Sequence, residues 1–127
     1  MKILLADDSQ LIRDNLKKLL SRIEGITMIV ESYSVISTIR QIDVDQPDLV
    51  VLDLQLPDGT GFHLLETLRA REDAPRVMIL SNFPTEANRK RALALGAEGF
   101  FDKSREFSQL VDYLTAELAQ NKGGNGC

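Results

Sequence analysis

The chain has few of the features that would mark a secreted or membrane-embedded protein. Cysteine occurs once, at Cys127, so no internal disulfide can form, and a reducing, cytoplasmic location is expected. No apolar run approaches the roughly 20 residues that a membrane-spanning helix needs. Because the chain passes from Lys2 directly into a short strand-like pattern with no small-residue cleavage site, a signal peptide is not expected.

Basic charge and histidine are also scarce. Lys and Arg number 15 against 19 Asp and Glu, and the net charge of −4 argues against nucleic-acid binding, because phosphate contacts need a basic face. The single histidine, His63, has no partner for a metal site and is expected to be exposed. The remaining composition, 43% hydrophobic and 27% charged over 127 residues, is typical of one globular domain.

Four short apolar runs each end in a residue with useful chemistry. Runs this apolar are typical of strands that are buried on both faces of a parallel sheet. The groups that come after them are the carboxylates of Asp7, Asp8 and Asp53, the hydroxyl of Ser81 and the ammonium of Lys103. Because ligands of open α/β sheets bind at the carboxyl ends of the strands, we expect these groups to converge on a divalent cation and a phosphoryl group.

Strand-like and helix-like patterns alternate five times along the chain. The predicted strands cover residues 2–6, 26–31, 49–53, 76–81 and 98–102. The predicted helices cover about residues 12–23, 35–45, 62–68, 85–95 and 107–118. This alternation predicts an α/β fold, a single doubly wound domain whose five-stranded parallel sheet carries helices on both faces.

Local signals set the expected boundaries of these elements. Asp8 or Ser9 is placed to cap the first helix, and Gly25 is expected to stop it. Pro47 is expected to end the second helix, and residues 56–59 (Leu-Pro-Asp-Gly) predict a turn. The glycine-rich residues 121–127 are expected to form a flexible tail or the start of a linker, which leaves residues 1–120 as the domain.

A specific family resemblance rests on these residues. The residues that carry it are Asp7, Asp8, Asp53, Pro57, Gly61, Ser81 and Lys103. Together they resemble the receiver domain of two-component response regulators, the CheY-like superfamily, over residues 2 to about 120. The resemblance implies a (βα)5 domain with the strand order 2-1-3-4-5.

The resemblance also assigns roles to the residues. Asp53 is the expected phosphoacceptor, able to phosphorylate and dephosphorylate itself, so the chain is expected to be a signalling domain rather than an enzyme. The expected ligands of a Mg²⁺ ion are Asp7, Asp8, Asp53 and the backbone carbonyl of Gln55. Ser81 and Lys103 are expected to contact the phosphoryl oxygens, and Ser81 and Phe100 form the expected switch pair.

Phosphorylation is expected to draw Ser81 inward and to let Phe100 fill the vacated space, which reshapes the surface of the fourth helix, fifth strand and fifth helix. The expected partners are a histidine kinase or phosphotransfer protein upstream and, downstream, a target protein or a tethered output domain. A phosphorylation-dependent dimer is compatible with this scheme. Direct nucleic-acid binding by this domain and membrane association are not expected.

Taken singly, each of these residues has a structural alternative. Acids at positions 7–8 are common helix caps, Asp53 can be a solvated strand end, and Phe100 can be ordinary core. Asp58, Asp102 and the basic cluster at residues 89–91 are expected to be solvated. The joint occurrence of five functional groups after four separate strands favours the functional interpretation.

Other functions are compatible with the sequence, and some positions depart from the family pattern. The chain can be a fragment of a longer DNA-binding regulator, or a receiver that binds partners without phosphorylation. A Mg²⁺-dependent phosphohydrolase that forms an aspartyl-phosphate is disfavoured, because the stretch after Asp53 lacks a second acid. Ser104, rather than the frequent proline, comes after Lys103, which leaves the path of that loop open. Gln55 and Phe83 flank the site and are expected to influence the lifetime of the acyl phosphate.

Overall fold

The computed structural model describes residues 1–125, with the side chains of residues 1–120. Its elements, in chain order, are β1 (Lys2–Ala6), α1 (Gln10–Leu20), β2 (Met28–Ser32), α2 (Val35–Asp45), β3 (Leu49–Asp53), β4 (Gln55–Leu56), β5 (Gly59–Thr60), α3 (Gly61–Arg69), β6 (Arg76–Ser81), α4 (Glu86–Ala94), β7 (Gly99–Asp102) and α5 (Phe107–Asn125). None of the described helices combines the length and the apolar character that crossing a bilayer requires.

Five of the strands form one parallel sheet in the order β2-β1-β3-β6-β7. The short strands β4 and β5 pair with each other in a separate antiparallel hairpin, at the turn that residues 56–59 predict. Without that hairpin the order is 2-1-3-4-5, so the predicted fold is confirmed. The register places Asp53 beside Leu80 and Ser81 beside Asp102, which brings the ends of β3, β6 and β7 to one edge of the sheet.

The sheet is covered on both faces, and β3 shows why its sequence is apolar throughout. Val50 and Leu52 belong to the core shared with α2, α3 and α4, whereas Leu49 and Val51 belong to the core shared with α1 and α5. Successive side chains of a strand point to opposite faces, so a central strand between two helical layers needs apolar residues at every position. Asp53, at the end of β3, is where this apolar run stops.

Hydroxyl side chains begin four of the helices. Ser9, Ser34, Thr60 and Thr85 each accept a hydrogen bond from a backbone N–H in the first turn of α1, α2, α3 and α4. Ser9 rather than Asp8 is therefore the cap of α1.

Of two predicted helix ends, that of α1 was wrong and that of α2 is confirmed. Helix α1 ends at Leu20, so the expectation that Gly25 stops it was wrong; Gly25, with φ of 103°, lies in the loop beyond, where it turns the chain. Helix α2 ends at Asp45, followed by Gln46 in the left-handed region and then by Pro47, as expected.

The backbone of α5 continues to Asn125, into the segment for which a tail or linker is expected. Glycine costs a helix about 1 kcal/mol relative to alanine but does not remove a backbone donor, so the hydrogen-bonded ladder can pass through it. The last two residues of the expected tail, including Cys127, lie outside the described residues. The domain boundary at residue 120 stays a prediction.

Candidate functional site

Three carboxylates and one ammonium meet at the carboxyl edge of the sheet. Oxygen atoms of Asp7, Asp8 and Asp53 lie within 4.8 Å of one another. The Nζ atom of Lys103 lies 2.6 Å from Oδ2 of Asp7 and 2.9 Å from Oδ2 of Asp53. Asp7 and Asp53 are buried, whereas Asp8 is exposed. The residues come from the ends of β1, β3 and β7, as the strand-end pattern predicts.

The environment raises the pKa of both the acid and the base of this cluster, which disfavours the charged form of the acid and favours the charged form of the base. Burial raises the pKa of the Asp53 carboxyl above its ordinary value, and the hydrogen bond from Lys103 offsets this only in part. Burial alone would lower the pKa of Lys103, but the hydrogen bonds to Asp7 and Asp53 outweigh it, so the pKa of Lys103 is raised. Lys103 is therefore a firmly held cation. Three carboxylates against one ammonium leave an excess of negative charge, which suits a divalent cation with oxygen ligands.

Ser81, the last residue of β6, lies at the same edge of the sheet. Its hydroxyl is buried and accepts a hydrogen bond of 2.9 Å from the N–H of Phe83. Its carbonyl accepts one of 2.9 Å from the N–H of Lys103. Ser81 follows Leu80, the residue that pairs with Asp53, so its hydroxyl belongs to the strand next to the buried carboxylate.

The β4–β5 hairpin holds the chain directly after Asp53. The N–H of Gln55 donates to Oδ1 of Asp53 at 3.2 Å, and the exposed side chain of Gln55 lines a cavity of about 130 Å³ together with Phe83. At Gly61 an added Cβ would lie 2.8 Å from the carbonyl oxygen of Asp53, so this close approach of two backbones requires glycine. Gln55 and Phe83 thus line one cavity, and their expected influence on an acyl phosphate stays a prediction.

Asp58, at the tip of the hairpin, differs from its expectation. Its carboxylate accepts hydrogen bonds from the N–H groups of Val35 (2.6 Å) and Ile36 (3.0 Å), the first residues of α2. These bonds lower the pKa of Asp58. Although Asp58 is exposed, it is a second cap of α2 that fastens the hairpin beside the site, and no local sequence signal indicates this pairing.

Asp102 and Arg89 are also expected to be solvated, but both form hydrogen bonds within the protein. Asp102 is buried and accepts hydrogen bonds from Ser104, which lower the pKa of its carboxyl. Arg89 donates to the carbonyl of Phe100 at 2.7 Å and to Glu106 at 3.0 Å, and its guanidinium carbon lies 5.0 Å from the centroid of the Phe100 ring. His63 is exposed, as expected.

Phe100 is already inside the protein. Its side chain belongs to the core below α4 and the residue is 4% exposed. The ring lies under the guanidinium of Arg89, and its expected movement on phosphorylation stays a prediction. The described residues therefore bring Asp7, Asp8, Asp53 and Lys103 into one cluster, with Ser81 on the adjoining strand and Phe100 in the core.

Comparisons with known proteins give relatives of several kinds. A protein-glutamate methylesterase/protein-glutamine glutaminase of Desulfotalea psychrophila is 34% identical over 108 residues, which are 84% of this chain and 30% of that protein. The DNA-binding transcriptional activator DevR/DosR of Mycobacterium tuberculosis is 31% identical over 111 residues, which are 87% of this chain and 51% of that protein. The crystal structure of a LuxR-family two-component response regulator from Aurantimonas sp. SI85-9A1 has a TM-score of 0.83 at 29% identity, covering 94% of this chain and 85% of that one.

The chain thus spans about half or less of the length of these two curated relatives, one named as an enzyme and the other as a DNA-binding activator. What they share with it is the module itself. The family model described as the response regulator receiver domain matches residues 3–115, nearly the whole chain. With the sheet order and the strand-end residues in agreement, the chain belongs to the response regulator receiver domain family.

Proposed function

We propose that the chain is the phosphoacceptor of a two-component signalling system, with Asp53 as the residue that receives the phosphoryl group. The observation that carries this proposal is the position of the Lys103 ammonium, which contacts both buried carboxylates of an acidic cluster at the edge of the sheet. A buried carboxylate beside a fixed cation can act as a nucleophile while the cation balances the charge that the reaction brings in.

The proposed donor is a phosphohistidine of a histidine kinase or of a phosphotransfer protein. A bond forms between an Oδ atom of Asp53 and phosphorus, while the phosphorus–nitrogen bond breaks and its electron pair returns to the imidazole. Asp53 needs no deprotonation by another residue, since it reacts as the carboxylate. The product is an acyl phosphate, and Lys103 then neutralises an oxygen of the phosphoryl group in place of Oδ2 of Asp53.

The acidic cluster fits a Mg²⁺ ion. Asp7, Asp8 and Asp53 would hold it together with the backbone carbonyl of Gln55, because Mg²⁺ prefers oxygen ligands and keeps several waters. When bound, the ion would neutralise charge on the transferring phosphoryl group. The Ser81 hydroxyl, which only accepts a hydrogen bond from Phe83, still has its own proton to donate to a phosphoryl oxygen.

The proposed output surface consists of α4, β7 and α5. Arg89 joins these elements, because it lies in α4, donates to the carbonyl of Phe100 in β7 and pairs with Glu106 before α5. Movement of Ser81 toward a phosphoryl group would shift the start of α4, and the Arg89 contacts would rearrange with it. A change of this surface would then alter binding of a protein partner, of a tethered output domain or of a second copy.

The direct test is intact-mass analysis after incubation with acetyl phosphate and Mg²⁺. Wild-type protein is expected to gain one phosphoryl group, and Asp53→Asn none. Omission of Mg²⁺, with a chelator present, is expected to abolish the gain. A phosphoryl group on the Asp53→Asn protein, or none on wild type under conditions in which an established receiver is phosphorylated, would refute the proposal.

A second candidate function adds an output domain after the receiver. The DevR/DosR relative is named as a DNA-binding activator and is about twice as long as the region matched here. This observation favours a receiver that belongs to a longer DNA-binding regulator, in which residues 121–127 would begin the linker. The deciding observation is whether the reading frame continues beyond Cys127 into a second domain.

A further inference from the structure

Lys103 lies in the turn between β7 and α5, yet its side chain ends between two buried carboxylates. A lysine side chain is long and loses much rotational freedom when its end is fixed, so its backbone must already point it correctly. One backbone contact is visible, the hydrogen bond from its N–H to the carbonyl of Ser81. That bond fixes where the turn starts but not the direction in which it continues.

The direction is set by the residues on either side of the lysine. Oδ1 of Asp102 accepts hydrogen bonds from the N–H (2.9 Å) and the hydroxyl (2.8 Å) of Ser104. The carbonyl of Asp102 accepts from the N–H of Glu106 at 2.8 Å, and the N–H of Asp102 donates to Oε1 of Glu106 at 3.1 Å. We call Asp102, Ser104 and Glu106 the lysine clasp, because their hydrogen bonds close around Lys103 from both sides.

The Asp102 carboxylate has no direct place in the phosphoryl chemistry. The described carboxylates that gather within 4.8 Å of one another are those of Asp7, Asp8 and Asp53. Asp102 is nevertheless buried, at 7% exposure, and Oδ1 is committed to Ser104. A buried acid beside the functional lysine whose bonds all serve the turn is explained by the placement of that lysine.

We propose that Asp102 and Ser104 are positioning residues for Lys103. The hydrogen bonds of the lysine clasp restrict the backbone of the turn, as a conformationally rigid residue after the lysine would do. Its effect on the Lys103 side chain follows from the geometry alone. Its effect on phosphoryl transfer rests on the proposed function. The two effects can be measured separately.

The first measurement is the acetylation rate of Lys103 by an amine-reactive reagent, followed by peptide mass mapping of the whole chain. Exposed Lys90 serves as the internal reference. Asp102→Ala is expected to raise the relative rate at Lys103 roughly five- to tenfold, and Ser104→Ala roughly two- to threefold, since they remove two bonds and one bond respectively. Asp102→Asn, which keeps the acceptor oxygen, and Asp112→Ala, at an exposed position of α5, are expected to leave the rate near that of wild type.

The second measurement is the rate of phosphorylation at Asp53 by acetyl phosphate, in a double-mutant cycle with Lys103→Ala. Asp102→Ala alone is expected to slow the reaction roughly tenfold or more, because small displacements of a positioning group carry such costs. In the Lys103→Ala background the same change should have no further effect, since the residue it positions is gone. A purely structural role of Asp102 would slow both backgrounds equally.

The outcomes distinguish a failure of the clasp from a failure of the proposed function. An unchanged Lys103 acetylation rate in folded Asp102→Ala and Ser104→Ala, or additive effects in the cycle, would overturn the clasp. If wild type takes up no phosphoryl group, the proposed function fails, while the acetylation rates still decide whether the clasp positions Lys103. Should Asp102→Ala not fold, Ser104→Ala and its exposed counterpart Ser108→Ala supply the same comparison.

Discussion

Two clusters at opposite edges of the sheet each place one cation between two carboxylates. At the carboxyl edge, Lys103 bridges Asp7 and Asp53, and the three side chains are 5–9% exposed. At the amino edge, Arg76 at the start of β6 pairs with Glu98 and Glu117, and the three side chains are 24–34% exposed. Each of these two arrangements has one cation between two carboxylates, but the side chains at the carboxyl edge are much less exposed to solvent.

The difference shows what each cluster contributes. The guanidinium of Arg76 offers a planar fork that donates to both glutamates, in contact with water that screens the pair, so its contribution to stability is small. Lys103 is a point charge in a desolvated site, where charges are costly unless they are paired. Burial raises the pKa of Asp53 despite this pairing, so the carboxyl-edge cluster holds a carboxylate that the fold does not favour. Stability does not account for such a group, whereas the proposed phosphoryl transfer would.

The largest effect is expected from Lys103→Ala. Its removal leaves two buried carboxylates without a counter-charge, and at pH 7 the free energy of unfolding should fall by about 3 kcal/mol or more. At about pH 3, below the ordinary pKa of an aspartate carboxyl, Asp53 is protonated because burial raises its pKa further, so the difference from wild type should shrink. Urea unfolding in metal-free buffer at both pH values measures it. A loss that does not depend on pH would mean that the side chain stabilises by packing alone.

Asp53→Asn is expected to act in the opposite direction. Because folding raises the pKa of Asp53, the folded state resists ionisation of this group, and wild type loses stability as the pH rises through the interval between the ordinary and the folded pKa. The neutral amide removes that cost, while Lys103 keeps Asp7 as a partner. The expected gain is on the order of 1 kcal/mol at pH 7, or roughly 4 °C in Tm, and it should largely vanish at about pH 3, below the ordinary pKa of an aspartate carboxyl, where Asp53 is mostly protonated in both states. Thermal unfolding of both proteins without metal, at the two pH values, tests the sign.

The carboxyl edge was largely predictable from the sequence, because its residues follow apolar runs whose strand character is local. Asp53 and Ser81 end β3 and β6 where the apolar patterns stop, and the strand-end rule for α/β sheets then places them at one edge. The order of the strands came from the family resemblance. Asp58 is exposed, as expected, but its hydrogen bonds to α2 were not predicted, and the expectation that Asp102 is solvated was wrong. An acid near a turn has the same sequence signature whether or not a backbone N–H faces it.

Contacts between distant elements could not be predicted from the sequence either. Asp58 meets Val35 across 23 positions, and Arg89 meets Glu106 across 17, so no periodicity of one element records them. The depth of the Phe100 ring could not be predicted from its neighbours in the chain, because it depends on how α4 packs against β7. In the same way, the pairing of Arg76 with Glu117 depends on the docking of α5.

The smallest effect is expected from Arg76→Lys at the amino edge, and a matched change makes it informative. Lysine keeps the charge but cannot donate a fork to Glu98 while reaching Glu117, so a loss of about 0.5–1 kcal/mol is expected, and added salt should reduce it. The reverse change, Lys103→Arg, forces a larger planar group into a site that is 6% exposed, and overpacking should cost about 1–3 kcal/mol with little dependence on salt. Chemical unfolding of both variants at low and high salt gives the comparison. Equal losses with equal salt dependence would mean that solvent screens the charges at the two edges equally. Burial could then not explain why the carboxyl edge holds Asp53, a carboxylate whose pKa is raised.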